Sequence, residues 1–500
     1  MLLRPDTRDL RVIGLNTGRV LVGVGIGMLL CTPIGVLRGE PNDVAGLVIG
    51  ACLALLLGRL AEWRLAHPHR IQWQHGMVVA ALAWLVSSLT ASVPLYLSGH
   101  YLSFLDAYFE AMSGFTTSGL STANDLDHMA ASILFWRVLT HFIGGQGLVV
   151  MFISVFAAGA GAVGMYAGEA REDRILPNLQ RTAHFIWRVS LGYLAVGTAA
   201  LWAALVAADM PAWDGLFHAA MLFIAGFDTG GFAPTTASVG LYHSPLVELV
   251  AGFTMVAGAL SFALHYQLWR GRPRELLRNV ETRLLTTTFL ATFLLVALGL
   301  VQSDTYHDAA VVLRRGLFHA LSAHTGTGFN TIPGQLFAND WGALAPGALV
   351  IAMALGGMAG STSGGIKSIR LALVGKHMRQ ELRKLLLPPD AYTIETYHSD
   401  GPQIVRPAAV RSALMILLLF LLLDLLGALA GLYYGYPFDL AMFESTSAAN
   451  NVGLSVGIAG PGAEAPLTLV YTLQMWIGRL EFVAVLGLVG FVVASLRGRT

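Results

Sequence analysis

Apolar residues run in long stretches along this chain, and the polar residues gather in short segments between them. Stretches such as 77–97, 189–208, 284–302, 347–366 and 412–433 carry few or no charges. Each is long enough to cross a hydrocarbon core of about 30 Å as a helix of about 20 residues. Backbone polar groups inside lipid must be satisfied within the segment, so each run predicts a helix. About ten spans follow: 13–36, 42–62, 72–97, 131–158, 183–208, 244–270, 282–302, 343–374, 407–433 and 465–496.

Between alternate pairs of spans lie four outer segments, 98–130, 209–243, 303–342 and 434–464, too long for turns and too apolar for solvated loops. They share one pattern. The cores read FTTSGLST from Phe115, FDTGGFAPT from Phe227, HTGTGFNT from His324 and ANNVGLSV from Ala449. Each aligns one glycine (Gly119, Gly231, Gly328 and Gly453) with an apolar residue after it (Leu120, Phe232, Phe329 and Leu454). A short apolar helix precedes each glycine and opens on Phe109-Glu110, Phe217-His218, Phe318-His319 or Phe443-Glu444. The Glu or His stands nine residues before the glycine in repeats one, three and four, and thirteen before it in repeat two, about one helical turn more. That extra turn leaves Gly226 as an alternative to Gly231, whose flanks match better. The unit is therefore span, short re-entrant helix, glycine loop, span. Four units use eight spans and leave an N-terminal hairpin.

The chain has 500 residues, 55% hydrophobic and 12% charged, against about 25% charged in a soluble domain. With a net charge of +1 and no Lys/Arg-rich run, nothing calls for nucleic acid. Cys31 and Cys52 lie in apolar runs and suggest neither a disulfide nor a zinc site. The first apolar run, from near Val12, has no small-residue cleavage signal after it and reads as a retained helix. Basic residues cluster at Arg4, Arg8, Arg11 and Arg19; at Arg59, Arg64 and Arg70; and at Arg171, Arg174, Arg181 and Arg188. They cluster again at Arg270–Arg283, Lys376–Lys384, Arg497 and Arg499. Segments 71–136, 189–269, 316–366 and 425–478 have no Lys or Arg. The positive-inside rule then puts both termini in the cytoplasm.

Non-helical backbone at membrane depth is tolerated only when buried or lining a water path. A short helix followed by a Thr/Ser/Gly loop fits an ion filter, in which carbonyls replace the hydration shell. Glycine allows positive φ and close approach, and hard oxygen ligands suit alkali cations. The acidic residues of the outer segments, Asp106, Glu110, Asp125, Asp127, Asp209, Asp214, Asp228, Asp304, Asp308, Asp439 and Glu444, are expected to form a cation-attracting mouth.

With the motifs WRVLTHFIGGQGLVV at 136–150, GGMAGSTSGGIKSIR at 356–370 and IGRLEF at 477–482, the chain resembles the Trk/Ktr/HKT superfamily of potassium transporters. It looks most like the bacterial TrkH-type membrane subunits. The resemblance implies an all-α polytopic membrane protein with four pore repeats in pseudo-fourfold arrangement. It implies potassium uptake across a bacterial inner membrane, a homodimer and a cytoplasmic TrkA-type nucleotide-binding partner. Potassium-contacting positions carry over to Thr117, Ser118 and Gly119; Thr229, Gly230 and Gly231; Gly326, Thr327 and Gly328; and Asn451, Val452 and Gly453. Four glycines at the filter position go with potassium. The chain departs from the family pattern at Asp228, at Gly326 and in the longer second short helix. The repeats are expected over 71–160, 161–272, 273–390 and 391–500, after a hairpin at 1–70.

Two features point to a gate. Span 343–374 is interrupted by Gly356, Gly357, Gly360, Ser361, Thr362, Ser363, Gly364 and Gly365, ending at Lys367. By resemblance this is an intramembrane gating loop, and Lys367 helps to close it or snorkels. Arg479 lies inside an apolar span, where an ion is costly and marks function. It is expected below the filter, with a structural pair to Glu481 as the plainer reading. Gly159–Gly164 matches GxGxxG, and Gly360–Lys367 has the outline of a phosphate-binding loop, but neither has the strand–turn–helix setting of a nucleotide site. His218 and His319 read as equivalent packing residues and not as metal ligands. No HExxH, GxSxG or paired acidic motif suggests an enzyme, and no cofactor is expected beyond the transported ion. The alternatives are a less selective sodium/potassium transporter and a nonconductive sensor. Symport with protons or sodium stays open.

Overall fold

The computed structural model describes residues 5–66, 71–148, 150, 163, 165–167, 169, 179–388, 394–399 and 401–497. Arg4, Arg70, Arg171, Arg174, Arg499, the far end of the span expected over 131–158 and all of the 159–164 run but Val163 lie outside them.

Among the described residues, six helices are long and apolar enough to cross a membrane: Thr7–Arg38, Pro41–Leu65, Trp73–Leu97, Leu179–Val206, Val280–Gln302 and Pro407–Tyr433. The spans expected over 244–270 and 465–496 are not straight. Pro245–Ala259 turns by 104° into Phe262–Trp269, and Ala465–Arg479 turns by 108° into Val483–Arg497. The span expected over 343–374 is likewise divided, into Leu344–Ala354 and Ser368–Lys384. The described helix over 131–158 ends at Gln146, where Gly147 takes φ +98°. The breaks have local causes. Ser261 caps a new helix by accepting from Leu264 N–H, and Glu481 and Phe482 adopt φ +47° and +70°. The one sheet among the described residues is a pair of three-residue strands, Thr396–His398 and Pro402–Ile404. His398 Nε2 stands 2.7 Å from Glu275, and this contact holds the Glu275 carboxyl below its usual range.

The N-terminal helices pack closely because small residues face each other. A methyl on Gly58 would come within 2.6 Å of the Gly18 carbonyl oxygen. Glu40, after the Gly39 turn, docks this hairpin on the first repeat. Its carboxylate accepts from Ala131 N at 2.8 Å, Ser132 N at 3.1 Å and Ser132 Oγ at 2.8 Å. A negative charge there complements the free N–H groups opening the helix Ala131–Gln146.

Each repeat has its short helix: Phe104–Phe115, Ala212–Phe227, Ala309–Thr325 and Phe438–Ala449. Ser103 caps the first by accepting from Asp106 N, and Asp308 caps the third by accepting from Ala310 N. All four end alike. Ser118 N donates to Ser113 O, Gly230 N to Ala225 O, Thr327 N to Ser322 O and Val452 N to Ser447 O, at 2.8–2.9 Å. This is the six-to-one bond of a Schellman stop, and it requires a left-handed residue just before the donor. Those residues are Thr117 at φ +53°, Thr229 at +49°, Gly326 at +71° and Asn451 at +56°. Glycine and asparagine are the usual choices there, whereas threonine is strained.

The helix returning from each loop packs against the end of its own short helix through a glycine in three repeats. A methyl on Gly144 would stand 1.7 Å from Phe115 O, on Gly258 2.0 Å from Phe227 O, and on Gly478 1.8 Å from Ala449 O. No side chain can shift to relieve a clash with backbone. Gly144→Ala and Gly478→Ala are therefore expected to destabilise the protein by about 3 kcal/mol each. Gly490→Ala, with nothing within 4 Å, is the neutral control. Thermal melting of detergent-purified protein measures the difference.

Candidate functional site

The four glycine loops meet each other around a ring. A methyl on Gly119 would lie 2.3 Å from Gly230 O, on Gly231 2.1 Å from Thr327 O, on Gly328 2.1 Å from Val452 O and on Gly453 2.4 Å from Ser118 O. Each loop thus presses the carbonyl before its glycine onto the glycine of the preceding repeat, and the fourth closes on the first. All four glycines have positive φ, +80°, +74°, +84° and +98° in order. Any Cβ would be excluded twice, by conformation and by the neighbouring oxygen. Gly231 occupies the ring position in repeat two. Gly226 lies within the short helix, where a methyl would meet Thr254 Oγ1 at 2.3 Å.

Thr117, Ser118, Thr229, Thr327, Asn450 and Asn451 of the loops are buried. Asn451 Nδ2 bridges repeats four and one by donating to Ser118 Oγ at 2.8 Å, and it also donates to Met475 O at 2.9 Å. Thr325 and Thr327 hydroxyls pair at 2.8 Å.

The segment 355–367 lies against these loops. Thr362 Oγ1 is 2.9 Å from Phe227 O, 2.9 Å from Gly258 O and 3.3 Å from Thr229 Oγ1. A methyl on Gly364 would meet Asn450 O at 2.4 Å, and one on Gly326 would meet Ser363 Oγ at 2.9 Å. The segment also fills the bend of the second return helix. Met358 N donates to Ala259 O, Thr362 N donates to Gly258 O and Phe262 N donates to Gly360 O. Backbone groups released by a break at membrane depth are thereby satisfied. Within the segment, Gly356 N bonds Ile366 O and Gly357 N bonds Ser363 Oγ.

Arg479 ties the layers together. It donates to Thr117 Oγ1 at 2.9 Å, Thr362 O at 2.7 Å and Gly144 O at 2.9 Å. Glu481, two residues on, faces Arg370 and lies 3.9 Å from Lys367, whose ammonium also donates to Ser363 O. Arg479, Lys367, Gly144, Gly360 and Gly364 line a cavity of about 20 Å³, room for about one water molecule.

Several expectations from the sequence need correcting. Glu110, Glu444, Asp228 and Asp106 do not form an outer mouth, because all four are buried. Glu110 pairs with the buried Arg137, with Nε at 2.8 Å. Asp228 accepts from Gln146 Nε2 at 2.7 Å. Asp127, Asp209, Asp304, Asp308 and Asp439 are exposed. His218 and His319 are not equivalent, since His218 meets Tyr242 Oη and His319 meets Thr331 N and Arg315 O. Counted back from the ring glycine, Leu222 holds the place of His319. Sequence reasoning missed Glu281, whose Oε1 accepts from Ala359 N at 2.9 Å, Ser368 Oγ at 2.9 Å and Ile369 N at 3.1 Å. It ties Ala359 of the interrupted segment to the start of the helix Ser368–Lys384. It also missed Arg137, although an arginine inside an expected span carries the same signal as Arg479.

Residues 45–493 match the family model TrkH, described as a cation transport protein. An uncharacterised cation transporter of Methanocaldococcus jannaschii is 30% identical over 487 residues, covering 97% of this chain and 96% of its own. The Trk system potassium uptake protein TrkH of Salmonella typhimurium is 28% identical over 445 residues, covering 86% and 88%. The crystal structure of the potassium transporter TrkH from Vibrio parahaemolyticus superposes with a TM-score of 0.81 at 25% identity, over 95% of this chain and 98% of that one. With that match, the helices described above are those of an all-α polytopic membrane fold. The chain belongs to the TrkH family of cation transport proteins.

Proposed function

We propose that this chain is the membrane subunit of a potassium uptake system and that potassium passes dehydrated through the ring of four loops. The observation that carries the reading is the ring itself. Each of its glycines is backed by a carbonyl from the next repeat, so oxygen ligands stand around one axis at a fixed spacing. Relatives that cover most of this chain are named for potassium uptake. The ligands are the oxygens of Thr117, Ser118, Gly119, Thr229, Gly230, Gly231, Gly326, Thr327, Gly328, Asn451, Val452 and Gly453. Repeats at 71–160, 161–272, 273–390 and 391–500 are part of this reading, as are cytoplasmic termini, an inner-membrane setting and a homodimer.

Segment 355–367 with Arg479 is the gate. Its contacts with Thr229, Gly326 and Asn450 support the role, as does the guanidinium bonded to Thr117. A fixed positive charge next to the ring opposes a cation that has shed its water. A cytoplasmic nucleotide-binding partner of the TrkA type would relieve it, acting through the helix Ser368–Lys384 that continues the segment. Ions move down their electrochemical gradient, since the chain carries no ATP-hydrolysing motif.

Rubidium-86 uptake into proteoliposomes holding a potassium gradient tests the reading. Uptake blocked by potassium and not by sodium supports it. Equal block by sodium means a nonselective cation path. Absence of uptake, with and without the purified partner, supports a nonconductive sensor. Gly328→Ala, which drives a methyl onto Val452 O, is expected to abolish selective uptake. Arg479→Ala removes three hydrogen bonds, one each to the ring, the gate segment and the first return helix, and uptake without the partner is expected to rise about tenfold or more. Unchanged resting and partner-activated uptake in Arg479→Ala would remove the gating role.

A further inference from the structure

Nine residues before each ring glycine stand Glu110, Leu222, His319 and Glu444. Three residues after it stand Thr122, Pro234, Thr331 and Val456. Glu110 Oε2 accepts from Thr122 N at 2.8 Å, and Oε1 accepts from Ser121 Oγ at 2.9 Å. Glu444 Oε2 accepts from Val456 N at 2.9 Å, and Oε1 accepts from Ser455 Oγ at 2.7 Å and Ala459 N at 3.0 Å. His319 Nε2 is the acceptor for Thr331 N at 3.2 Å, while Nδ1 faces Arg315 O at 2.8 Å. A ring nitrogen facing a carbonyl must carry the proton, so His319 is neutral and its Nε2 lone pair is free to accept.

Repeat two breaks the pattern on both sides at once. Pro234 has no N–H to offer, and the acceptor position holds the fully buried Leu222. A buried carboxylate or imidazole there would face no donor. The second loop is held by its neighbour. His141, on the return helix of repeat one, accepts from Phe232 N at 3.2 Å, and its Nδ1 stands 2.7 Å from Gly114 O. The Arg137 guanidinium that pairs with Glu110 lies 4.2 Å from the centre of the Phe232 ring.

We propose that Glu110, His319 and Glu444 are positioning residues that set the width of the ring by fixing, in each repeat, the chain three residues beyond its glycine. Repeat two has exchanged this clamp for His141 of repeat one. Each clamp spans from the body of the short helix to the far side of the loop, so the ring carbonyls between are held at both ends. Ring width decides which dehydrated cation is fully coordinated. The inference rests on the potassium reading for its consequence, but the clamp itself is independent of the ion.

The test exchanges one clamp for another. His319→Leu orphans the Thr331 N–H and is expected to let sodium compete about tenfold more effectively against rubidium-86 uptake, the factor set by one unsatisfied buried donor. His319→Gln keeps an acceptor and a donor and is expected to hold the wild-type ratio. His319→Leu combined with Thr331→Pro copies the residues of repeat two without a counterpart of His141, so sodium should compete as effectively as in the single variant. An unchanged ratio in His319→Leu overturns the proposal, as does a double variant that recovers the wild-type ratio, which would assign the loss to the orphaned donor alone. If His319→Leu does not fold, Glu444→Gln reads the same device, because its amide turns a donor towards Val456 N or Ala459 N. Wild-type selectivity there would overturn the proposal. Should wild-type protein not discriminate between ions, the potassium reading has failed. Amide hydrogen exchange over 329–332 then decides the clamp. Faster exchange in His319→Leu, but not in His319→Gln, supports it, and equal rates in all three overturn it.

Discussion

Four carbonyl oxygens are pressed onto four glycines around a closed ring, and most of the architecture follows from that contact. A methyl at any of the glycines would lie 2.1–2.4 Å from a neighbour's backbone oxygen. Backbone cannot swing aside as a side chain can, so the four loops fix one another's positions. To bring carbonyls together this way, each short helix must stop abruptly, and each does so through a Schellman bond and a left-handed residue. The helices that follow must then come close to those ends, which three of them do by carrying a glycine opposite a carbonyl.

The left-handed positions separate geometry from chemistry. Gly326 and Asn451 satisfy the stop at little cost. Thr117 and Thr229 hold a β-branched side chain at positive φ, about 1–2 kcal/mol each, in places where glycine would fit the backbone better. Both hydroxyls are used. Thr117 Oγ1 receives Arg479, and Thr229 Oγ1 meets Thr362 Oγ1. Strain retained at these two sites is thus tied to contact of the ring with Arg479 and with the segment 355–367.

Breaking helices at membrane depth exposes backbone groups that lipid cannot satisfy. The bend after Ala259 is answered by Met358, Gly360 and Thr362 of the interrupted segment. Glu281 anchors that segment at Ala359 and at the start of the helix that follows it. Two discontinuities therefore complete each other. The segment therefore has a defined seat, since withdrawing it leaves both the bend and Glu281 without these partners.

The sequence alone determined the apolar runs, the four short helices with their glycine loops, and the glycines that meet in the ring. Hydropathy is a local property, and a glycine that must take positive φ next to foreign backbone has no substitute. It also located Arg479 and the interrupted span, because a charge or a glycine run inside an apolar stretch stands out without any knowledge of neighbours. Only the tertiary structure decided which way the acidic residues face. Glu110 and Glu444 read as mouth charges from composition, but they lie behind the loops, where their partners are N–H groups twelve residues on in sequence. It also set the register of repeat two. The shared Phe-His phrase pairs His218 with His319, whereas packing is fixed from the end that meets the ring, and the second and third short helices start equally far before their glycines. Long-range partners such as Asn451 with Ser118, or Arg479 with Thr117, leave no trace in local pattern, because they exist only once the chain has closed the ring.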